Sequence, residues 1–174
     1  MTARNRQGWG LRATLVAAVL AALAGCARRE GPEPARRDID CMARAMYFES
    51  IRSSRDGLIA VGSVVMNRVR SGDFPETVCG VVGQKNQFAP GVMTRAMDER
   101  SAPMVREAAA SVLRGERHPL IGNAQFFHAI SYRANYNNMH YTVSAGGNAF
   151  YEKRRPENVT QPYPLPLIEG LTGS

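Results

Sequence analysis

The sequence is poor in the residues that bind transition metals. Its 174 residues include three histidines and three cysteines, with no His-Glu-x-x-His segment and no closely spaced cysteine pair. Zinc enzymes and zinc-stabilised folds need such sets of ligands. We therefore expect no metal and no other cofactor.

The sequence also lacks an apolar stretch of the roughly 20 residues that a membrane-spanning helix needs. The run of small and aliphatic residues 13–23 is short, and three arginines precede it. A basic segment before a short apolar run is the pattern of a secretory signal peptide. We assign residues 1–25 to such a leader, which predicts that the mature protein is exported.

The leader ends in Leu23-Ala24-Gly25-Cys26, which resembles the bacterial lipobox. In that motif the signal peptide is cleaved before the cysteine, whose thiol is then lipid-modified. Ala27 after the cysteine favours retention at the outer membrane. We predict a periplasmic protein anchored there through Cys26, the alternative being an ordinary signal peptide with a cysteine at its cleavage site.

Acidic residues are fewer than basic ones, at 15 against 22. Loss of the leader removes three arginines and no acidic residue, which lowers the formal net charge from +7 by three to +4. A mildly basic protein suits an anionic partner such as a cell-wall polymer or lipid headgroups. No basic stripe interleaved with aromatic residues occurs, so a nucleic-acid partner is not expected.

With Cys26 assigned to the lipid, Cys41 and Cys79 are left as a pair in a chain sent to an oxidising compartment. A disulfide between them is the favoured inference. Two unrelated buried thiols are the alternative.

The mature chain divides into three parts. Residues 26–37 are charged and proline-rich, which predicts a flexible tether. Residues 38–155 carry the apolar patterning of one domain without internal repeats, and we expect it to be monomeric. Residues 156–174 repeat proline with few packing residues, which predicts an extended tail.

Helical spacing of apolar residues marks the first half of the domain. Asp38 or Asp40 can cap a first helix that ends near Glu49. Ser53 or Ser54 can cap a second helix, whose apolar residues recur every three or four positions and predict a core helix.

Further along the chain a short apolar piece occupies residues 78–82, and a third long helix is predicted to start near residues 101–103 and to stop at Gly115. Residues 124–129 and 141–151 are rich in aromatic residues and predict two short strands. The result is an α+β fold, mainly helical with a small late β element.

Glu49 is the candidate acid. A carboxylic acid donates a proton near neutral pH only if burial keeps it protonated. Tyr47 and Phe48 precede Glu49 and favour burial, whereas Arg52 would lower its pKa. On this alone, a solvated surface glutamate is the more frequent case.

Six segments in order resemble the SleB-type cell-wall hydrolases, the spore-cortex-lytic enzyme family. They are Ala45-Met46-Tyr47-Phe48-Glu49-Ser50, Val64-Val65-Met66-Asn67-Arg68-Val69, Phe74-Pro75-Glu76-Thr77-Val78-Cys79-Gly80-Val81-Val82, Gln87-Phe88, Phe126-Phe127-His128-Ala129 and Phe150-Tyr151. The resemblance implies a lysozyme-like fold and a single catalytic glutamate, which maps onto Glu49. It also implies cleavage of the β-1,4 bond between N-acetylmuramic acid and N-acetylglucosamine in peptidoglycan.

A second carboxylate would favour hydrolysis by water over a lytic transglycosylase reaction, which gives a 1,6-anhydro sugar. The candidates are Asp56, Asp73, Glu76 and Asp98, and each has a structural role from its place in a helix or turn. We therefore favour a transglycosylase, with a true hydrolase as the alternative.

Amide and aromatic side chains are the candidates for binding the glycan, because apolar surfaces with a few placed polar groups orient ligands. The candidate binding residues are Asn67, Gln87, Phe88, Phe127, His128, Tyr132 and Tyr136. Phe126 and Phe127 point to opposite sides of a strand, so one belongs to the core and the other to the cleft. For Asn67 a buried amide that bridges helix and loop is preferred over substrate contact.

Two other function classes are open. An N-acetylmuramoyl-L-alanine amidase of the zinc type would need a set of metal ligands, but His118, His128 and His140 form no such pattern, and His118 is expected in a surface turn. A non-catalytic peptidoglycan-binding lipoprotein is the second. Asn148, where the family usually has histidine, would be an early sign of lost activity.

Overall fold

The computed structural model describes residues 33–51 and 54–173. The predicted leader, the lipobox with Cys26, most of the predicted tether and the alternative cap Ser53 lie outside these residues. In the described part of the chain, no helix is long and apolar enough to cross a membrane. The described residues from Pro34 onward belong to one folded unit.

Helices come first in this unit and strands follow, which is the predicted α+β order. The helices are α1 (Arg36–Glu49), α2 (Arg55–Ser71), α3 (Val78–Val82) and α4 (Ala102–Leu113). The strands are β1 (Phe126–Ala129), β2 (Met139–Ala145) and β3 (Asn148–Lys153), with a 3-10 turn at Pro156–Asn158 after them.

Helix α1 begins at Arg36, so it takes up the last two residues of the predicted tether. Ala35 at the cap position makes no side-chain hydrogen bond. Asp38 lies in the first turn instead of at the cap, where its charge complements the helix dipole. Helix α1 ends at Glu49, as the sequence predicts.

Helix α2 is the core helix of the unit. Ser54 caps it by accepting a hydrogen bond from Gly57 N at 2.9 Å, and Gly72 ends it in the left-handed conformation with φ of 78°. The fully buried side chains of this helix include Leu58, Ile59, Val61, Val64 and Val65. Burying each such side chain contributes up to about 1.5–3 kcal/mol to stability.

The sheet is antiparallel with the strand order β1-β3-β2, one strand more than the sequence analysis expected. The expected strand at residues 141–151 is a hairpin. Gly146 and Gly147 close its turn with φ angles of 53° and 82°. Because such angles suit the turns of hairpins, the Gly-Gly pair between two apolar runs is the sequence signal for this feature.

The hairpin turn packs against the junction between α1 and α2. The backbones of Gly57 and Gly146 lie so close together that a Cβ atom on either glycine would overlap the other residue. Beside this contact Ile51 N donates to Gly146 O at 3.1 Å. The sheet is thereby held next to the end of α1, which carries Glu49.

Cys41 in α1 and Cys79 in α3 form a disulfide, which confirms the predicted pairing. The bond closes a loop with a sequence separation of 38 residues. Such a loop closure contributes about 3–4 kcal/mol in the chain-entropy account. It fixes α3, and the loop that follows it, against the helix that carries Glu49.

The C-terminal segment is docked on the folded unit, whereas its prolines and few apolar residues predicted a tail with little packing. Ile168 packs against the hydrophobic core, and Leu167 pairs with Ser144 of β2 in a parallel bridge. Leu171 N and Thr172 N donate to the Asp56 carboxylate at 2.9 and 2.7 Å. The segment docks because backbone N–H groups that follow its last proline, Pro166, find acceptors on the domain.

The Asp56 carboxylate is only 2% exposed. Burial acts to raise its pKa, but the hydrogen bonds from Thr172 and Leu171 outweigh burial and bring the pKa below its ordinary value of 3.8. Since the pKa is lowered in the folded state, this stabilisation is complete above the ordinary value. It is lost as the pH falls through the lowered value.

We expect Asp56→Asn to reduce the free energy of unfolding at pH 7 by about 2–3 kcal/mol, because one charged acceptor of two backbone N–H groups is lost. Hydrogen exchange at Leu171 and Thr172 should become faster. Asp73→Asn, at an exposed turn, is the matched control and should leave both measurements unchanged. Unaltered exchange in Asp56→Asn would contradict the docking.

Candidate active site

Glu49 is the last residue of α1, and its side chain faces a cavity of about 450 Å³. The lining comes from the ends of α1 and α2, the loop after α3 and the sheet. The residues that line it are Phe48, Glu49, Arg68, Asn86, Gln87, Phe88, Phe127, His128, Ala129 and Asn148.

The Glu49 carboxyl is half-buried and holds one backbone hydrogen bond, from Ala89 N to Oε1. Burial raises the pKa of Glu49 above its ordinary value, because the ionised form loses hydration. The hydrogen bond from Ala89 and the charge of Arg68 act in the opposite direction but are outweighed. Glu49 therefore stays protonated to a higher pH than an exposed glutamate does.

Arg68 is a buried cation beside the same cavity, with 3% of its surface exposed. Its Nε donates to Gln125 O at 2.7 Å, and its guanidinium lies 5.0 Å from the ring centre of Phe74 and 5.3 Å from that of Phe88. Nη1 is buried without a hydrogen-bond partner. Burial lowers the pKa of Arg68 to about 10, so the group is still charged at neutral pH.

Arg68 is the one charged residue among the cavity-lining residues that the sequence did not predict, the others being Phe48, Asn86, Ala129 and Asn148. It continues the buried face of α2, since it follows Val61 and Val65 at helical spacing. A lone arginine on an otherwise apolar helix face is the signal that identifies it, because an arginine is almost never fully buried unless it is paired.

The structure places Gln87, Phe88, Phe127 and His128 around the cavity that Glu49 faces. Phe127 lies between Phe88 and Phe150, with ring-centre distances of 6.4 and 5.5 Å. Phe126 points to the other side of β1 and stacks on Tyr151 at 5.6 Å. Phe127 is thus the cleft residue of the pair.

His128 is held in place by two hydrogen bonds. Nδ1 is 2.9 Å from Ala129 O, so Nδ1 carries the hydrogen in the neutral ring. Nε2 is 2.8 Å from the hydroxyl of Tyr141 and accepts from it. The imidazole therefore borders the cavity as an oriented polar wall.

Tyr132 and Tyr136 are not among the residues that line the Glu49 cavity. They line a neighbouring cavity of about 710 Å³ and are 52% and 70% exposed. Tyr132 also contacts the ring of His128 edge-on at 5.3 Å. These two tyrosines are therefore placed beside the Glu49 cavity and not inside it.

Two asparagine side chains, Asn67 and Asn148, donate hydrogen bonds to backbone carbonyls and hold neighbouring segments in place. The Asn67 amide donates to Gly122 O at 3.0 Å and to Ala124 O at 2.9 Å, which is the helix-to-loop bridge that the sequence analysis preferred. Asn67 is not among the residues that line the Glu49 cavity. Asn148 donates to the backbone carbonyl of Glu49 and so fixes the end of α1.

His118 is buried, at 1% exposure, where the sequence analysis expected a surface turn. Its backbone N–H donates to Ser63 Oγ at 3.1 Å and its Nδ1 accepts from Leu120 N at 3.3 Å. These bonds satisfy the backbone N–H and Nδ1, whereas Nε2 is buried without a hydrogen-bond partner. Across the described residues no cluster of three or more histidine, cysteine or acidic side chains is placed to hold a metal.

A mainly helical domain with a small sheet and a half-buried glutamate facing a cleft defines an enzyme of the lysozyme-like kind. The chain belongs to the cell wall hydrolase family, whose model matches residues 52–151.

Solved structures support the same fold. The catalytic domain of the germination-specific lytic transglycosylase SleB from Bacillus anthracis superimposes with a TM-score of 0.57 at 28% identity, covering 70% of this chain and 99% of that domain. The catalytic domain of the Bacillus cereus SleB protein gives a TM-score of 0.56 at 27% identity, covering 74% and 100%.

Curated relatives are spore cortex-lytic enzymes. The enzyme from Bacillus cereus is 43% identical over 53 residues, which are 30% of this chain and 20% of that enzyme. The enzyme from Halalkalibacterium halodurans is 35% identical over 74 residues, which are 41% and 22% of the two chains. The matched part is therefore about a fifth of each relative's length.

We expect Arg68→Met to raise the pKa of Glu49 further, because burial still disfavours the anion while the opposing positive charge is gone. The measurement is a carbon-13 NMR titration of the Glu49 carboxyl, assigned with Glu49→Gln. Arg70→Met, an exposed arginine on the same helix, should leave the titration unchanged. An unshifted or lowered pKa in Arg68→Met would show that Glu49 does not sense this charge.

Proposed function

We propose that this protein degrades peptidoglycan by cleaving the β-1,4 bond between N-acetylmuramic acid and N-acetylglucosamine, as a lytic transglycosylase. The observation that carries the proposal is the half-buried Glu49, which faces a cleft lined by amides, aromatic rings and a buried cation. Family membership and the similarity to SleB catalytic domains support this class of substrate and reaction.

In this mechanism the protonated Glu49 donates its proton to the glycosidic oxygen. The bond between C1 and that oxygen breaks and leaves an oxocarbenium-like centre on the muramic acid ring. The C6 hydroxyl oxygen of the same ring attacks C1, and the Glu49 carboxylate accepts the hydroxyl proton. The product is a 1,6-anhydro sugar, no water is consumed, and Glu49 is again protonated.

The number of carboxylates supports transglycosylation over hydrolysis. Glycosidases that use water generally place two carboxylates on either side of the bond. Among the residues described for the Glu49 cavity, Glu49 is the single carboxylate. Asp56 holds the C-terminal segment, and Asp98 accepts from Ser101 Oγ at 3.3 Å, so both serve elsewhere.

Arg68 supplies positive charge where negative charge develops. Once Glu49 has given up its proton, a half-buried anion must be stabilised, and a nearby guanidinium does so more effectively there than in water. The same charge restrains the rise in the pKa of resting Glu49, which makes the proton easier to release.

The cleft groups give the glycan its orientation. The Gln87 amide is placed to pair with an N-acetyl group, and Phe127 offers a ring to a sugar face. His128, held by Tyr141 and Ala129, contributes a fixed polar edge. Gln87 and Phe88 sit in the loop that also supplies Ala89 N to Glu49, so one loop positions both acid and substrate.

The cell wall lies outside the cytoplasmic membrane, which agrees with the predicted leader. We propose that Cys26 carries a lipid and holds the enzyme at the periplasmic face of the outer membrane as a monomer. The charged, proline-rich segment before α1 would let the domain reach the wall from its anchor.

Purified full-length protein and its Glu49→Gln variant, incubated with peptidoglycan sacculi, test the proposal by mass spectrometry of the released fragments. The wild type should release 1,6-anhydromuramyl products, and Glu49→Gln should lower their rate of release by about 10²–10⁴-fold, as for loss of a general acid. Glu76→Gln removes an exposed carboxylate away from the cavity and should retain full activity.

Other outcomes of this experiment would identify the alternative functions. Reducing muramic acid ends would make the enzyme a hydrolase, and free stem peptides would make it an amidase. Release of nothing by the wild type, with retained binding to sacculi, would make it a wall-binding lipoprotein.

A further inference from the structure

The C-terminal segment lies beyond the part of the chain that the family model matches, residues 52–151. It nevertheless runs along the sheet and is held at both ends. Tyr141 N donates to Gln161 O at 2.9 Å, and Ile168 N donates to Ser144 O at 3.0 Å. Glu169 accepts from Gly146 N at 3.0 Å, which ties the segment to the hairpin turn beside Glu49.

Tyr163 is presented on a stiff piece of this segment. It lies between Pro162 and Pro164, whose rings restrict the backbone, and Gln161 Nε2 donates to its carbonyl at 2.8 Å. The Tyr163 side chain is nonetheless 75% exposed. An aromatic ring that is exposed on a preorganised backbone binds a ligand with little loss of conformational entropy.

The cavity beside Tyr163 has the chemistry of a saccharide site. Its volume is about 710 Å³, and its lining combines four tyrosine rings with amide side chains. The exposed rings are Tyr132, Tyr136 and Tyr163, the fourth is the buried Tyr141, and the amides are Asn135 and Asn137. Aromatic faces suit the apolar faces of sugar rings, while amides and tyrosine hydroxyls pair with hydroxyl and N-acetyl groups.

The two cavities share no lining residue, but they meet at the ring of His128. His128 lines the Glu49 cavity, and it contacts Tyr132 at 5.3 Å and Tyr141 at 5.6 Å, both of which line the second cavity. A polymer of linked sugars that is bound at Glu49 and extends past His128 would reach the tyrosines next. A short ligand confined to the first cavity does not reach Tyr163.

We propose that Tyr163, with Tyr132 and Tyr136, forms an additional saccharide subsite that holds the glycan strand on one side of the bond that is cut. The inference rests on the proposed function for the identity of the strand. Tyr163 lies outside the matched family region, so the subsite is built partly by residues beyond that region. Because a short ligand at Glu49 does not reach the subsite, it gives this chain a preference for longer strands.

The test measures binding to peptide-free glycan strands, prepared from sacculi, with Glu49→Gln as the parent so that turnover does not interfere. Adding Tyr163→Ala should weaken binding about five- to tenfold, the loss expected for one ring contact. Tyr163→Phe should bind nearly as the parent does, because the ring is kept. Leu167→Ala, an exposed apolar residue of the same segment outside this cavity, should bind as the parent does.

Equal binding of the parent and the Tyr163→Ala variant would overturn the subsite, as would a parent that binds no glycan. An equal loss in Leu167→Ala would assign the effect to the segment as a whole and also overturn it. A Tyr163 effect seen only on strands that keep their stem peptides would mean that the cavity binds peptide.

These results are separable from the proposed function. Anhydro products from the wild type with no Tyr163 dependence would reject the subsite alone. Tyr163-dependent binding without any released product would reject the cleavage reaction and leave the subsite in place.

Discussion

Gly57 and Gly146 meet backbone to backbone at the point where helix α1 ends, and the candidate site depends on that contact. Any side chain on either glycine would push the hairpin away from the helices. With the contact made, Asn148 reaches the carbonyl of Glu49, and the strands bring His128 to the same cavity. Glu169 from the C-terminal segment accepts a hydrogen bond from the same turn. Glu49, the strands that line its cavity and the C-terminal segment are therefore all held at this turn.

Two opposing effects set the pKa of Glu49, and with it the protonation state of the acid. Burial disfavours the Glu49 anion, and the Ala89 hydrogen bond and the Arg68 charge favour it. A buried carboxyl without a hydrogen bond or a nearby cation would be slow to release its proton. A carboxyl fully paired with a cation would be ionised at neutral pH and would have no proton to donate. Glu49 lies between these extremes, because it is half-buried and Arg68 is nearby but donates its hydrogen bond to Gln125.

Local patterns predicted where the helices lie, because apolar spacing is a property of short segments. The end of α1 at Glu49 and the Ser54 cap are examples. The predicted aspartate cap of α1 was wrong. The third strand was missed because an aromatic-rich run was read without its Gly-Gly turn. The burial of Arg68 and the docking of the C-terminal segment depend on partners more than 50 residues away in sequence, Gln125 and Asp56 respectively. A local pattern marks Arg68 as unusual, but it does not reveal either partner.

The central claim is that Glu49 is the group that protonates the glycosidic oxygen, and a crystal structure of Glu49→Gln with a bound muramic acid-containing glycan tests it most directly. The account predicts the scissile oxygen within about 2.6–3.2 Å of the side chain at position 49, with the ring of the cleaved sugar beside Phe127. A glycan whose scissile oxygen lies next to a different acidic residue, or that leaves the cavity beside position 49 empty, would contradict it.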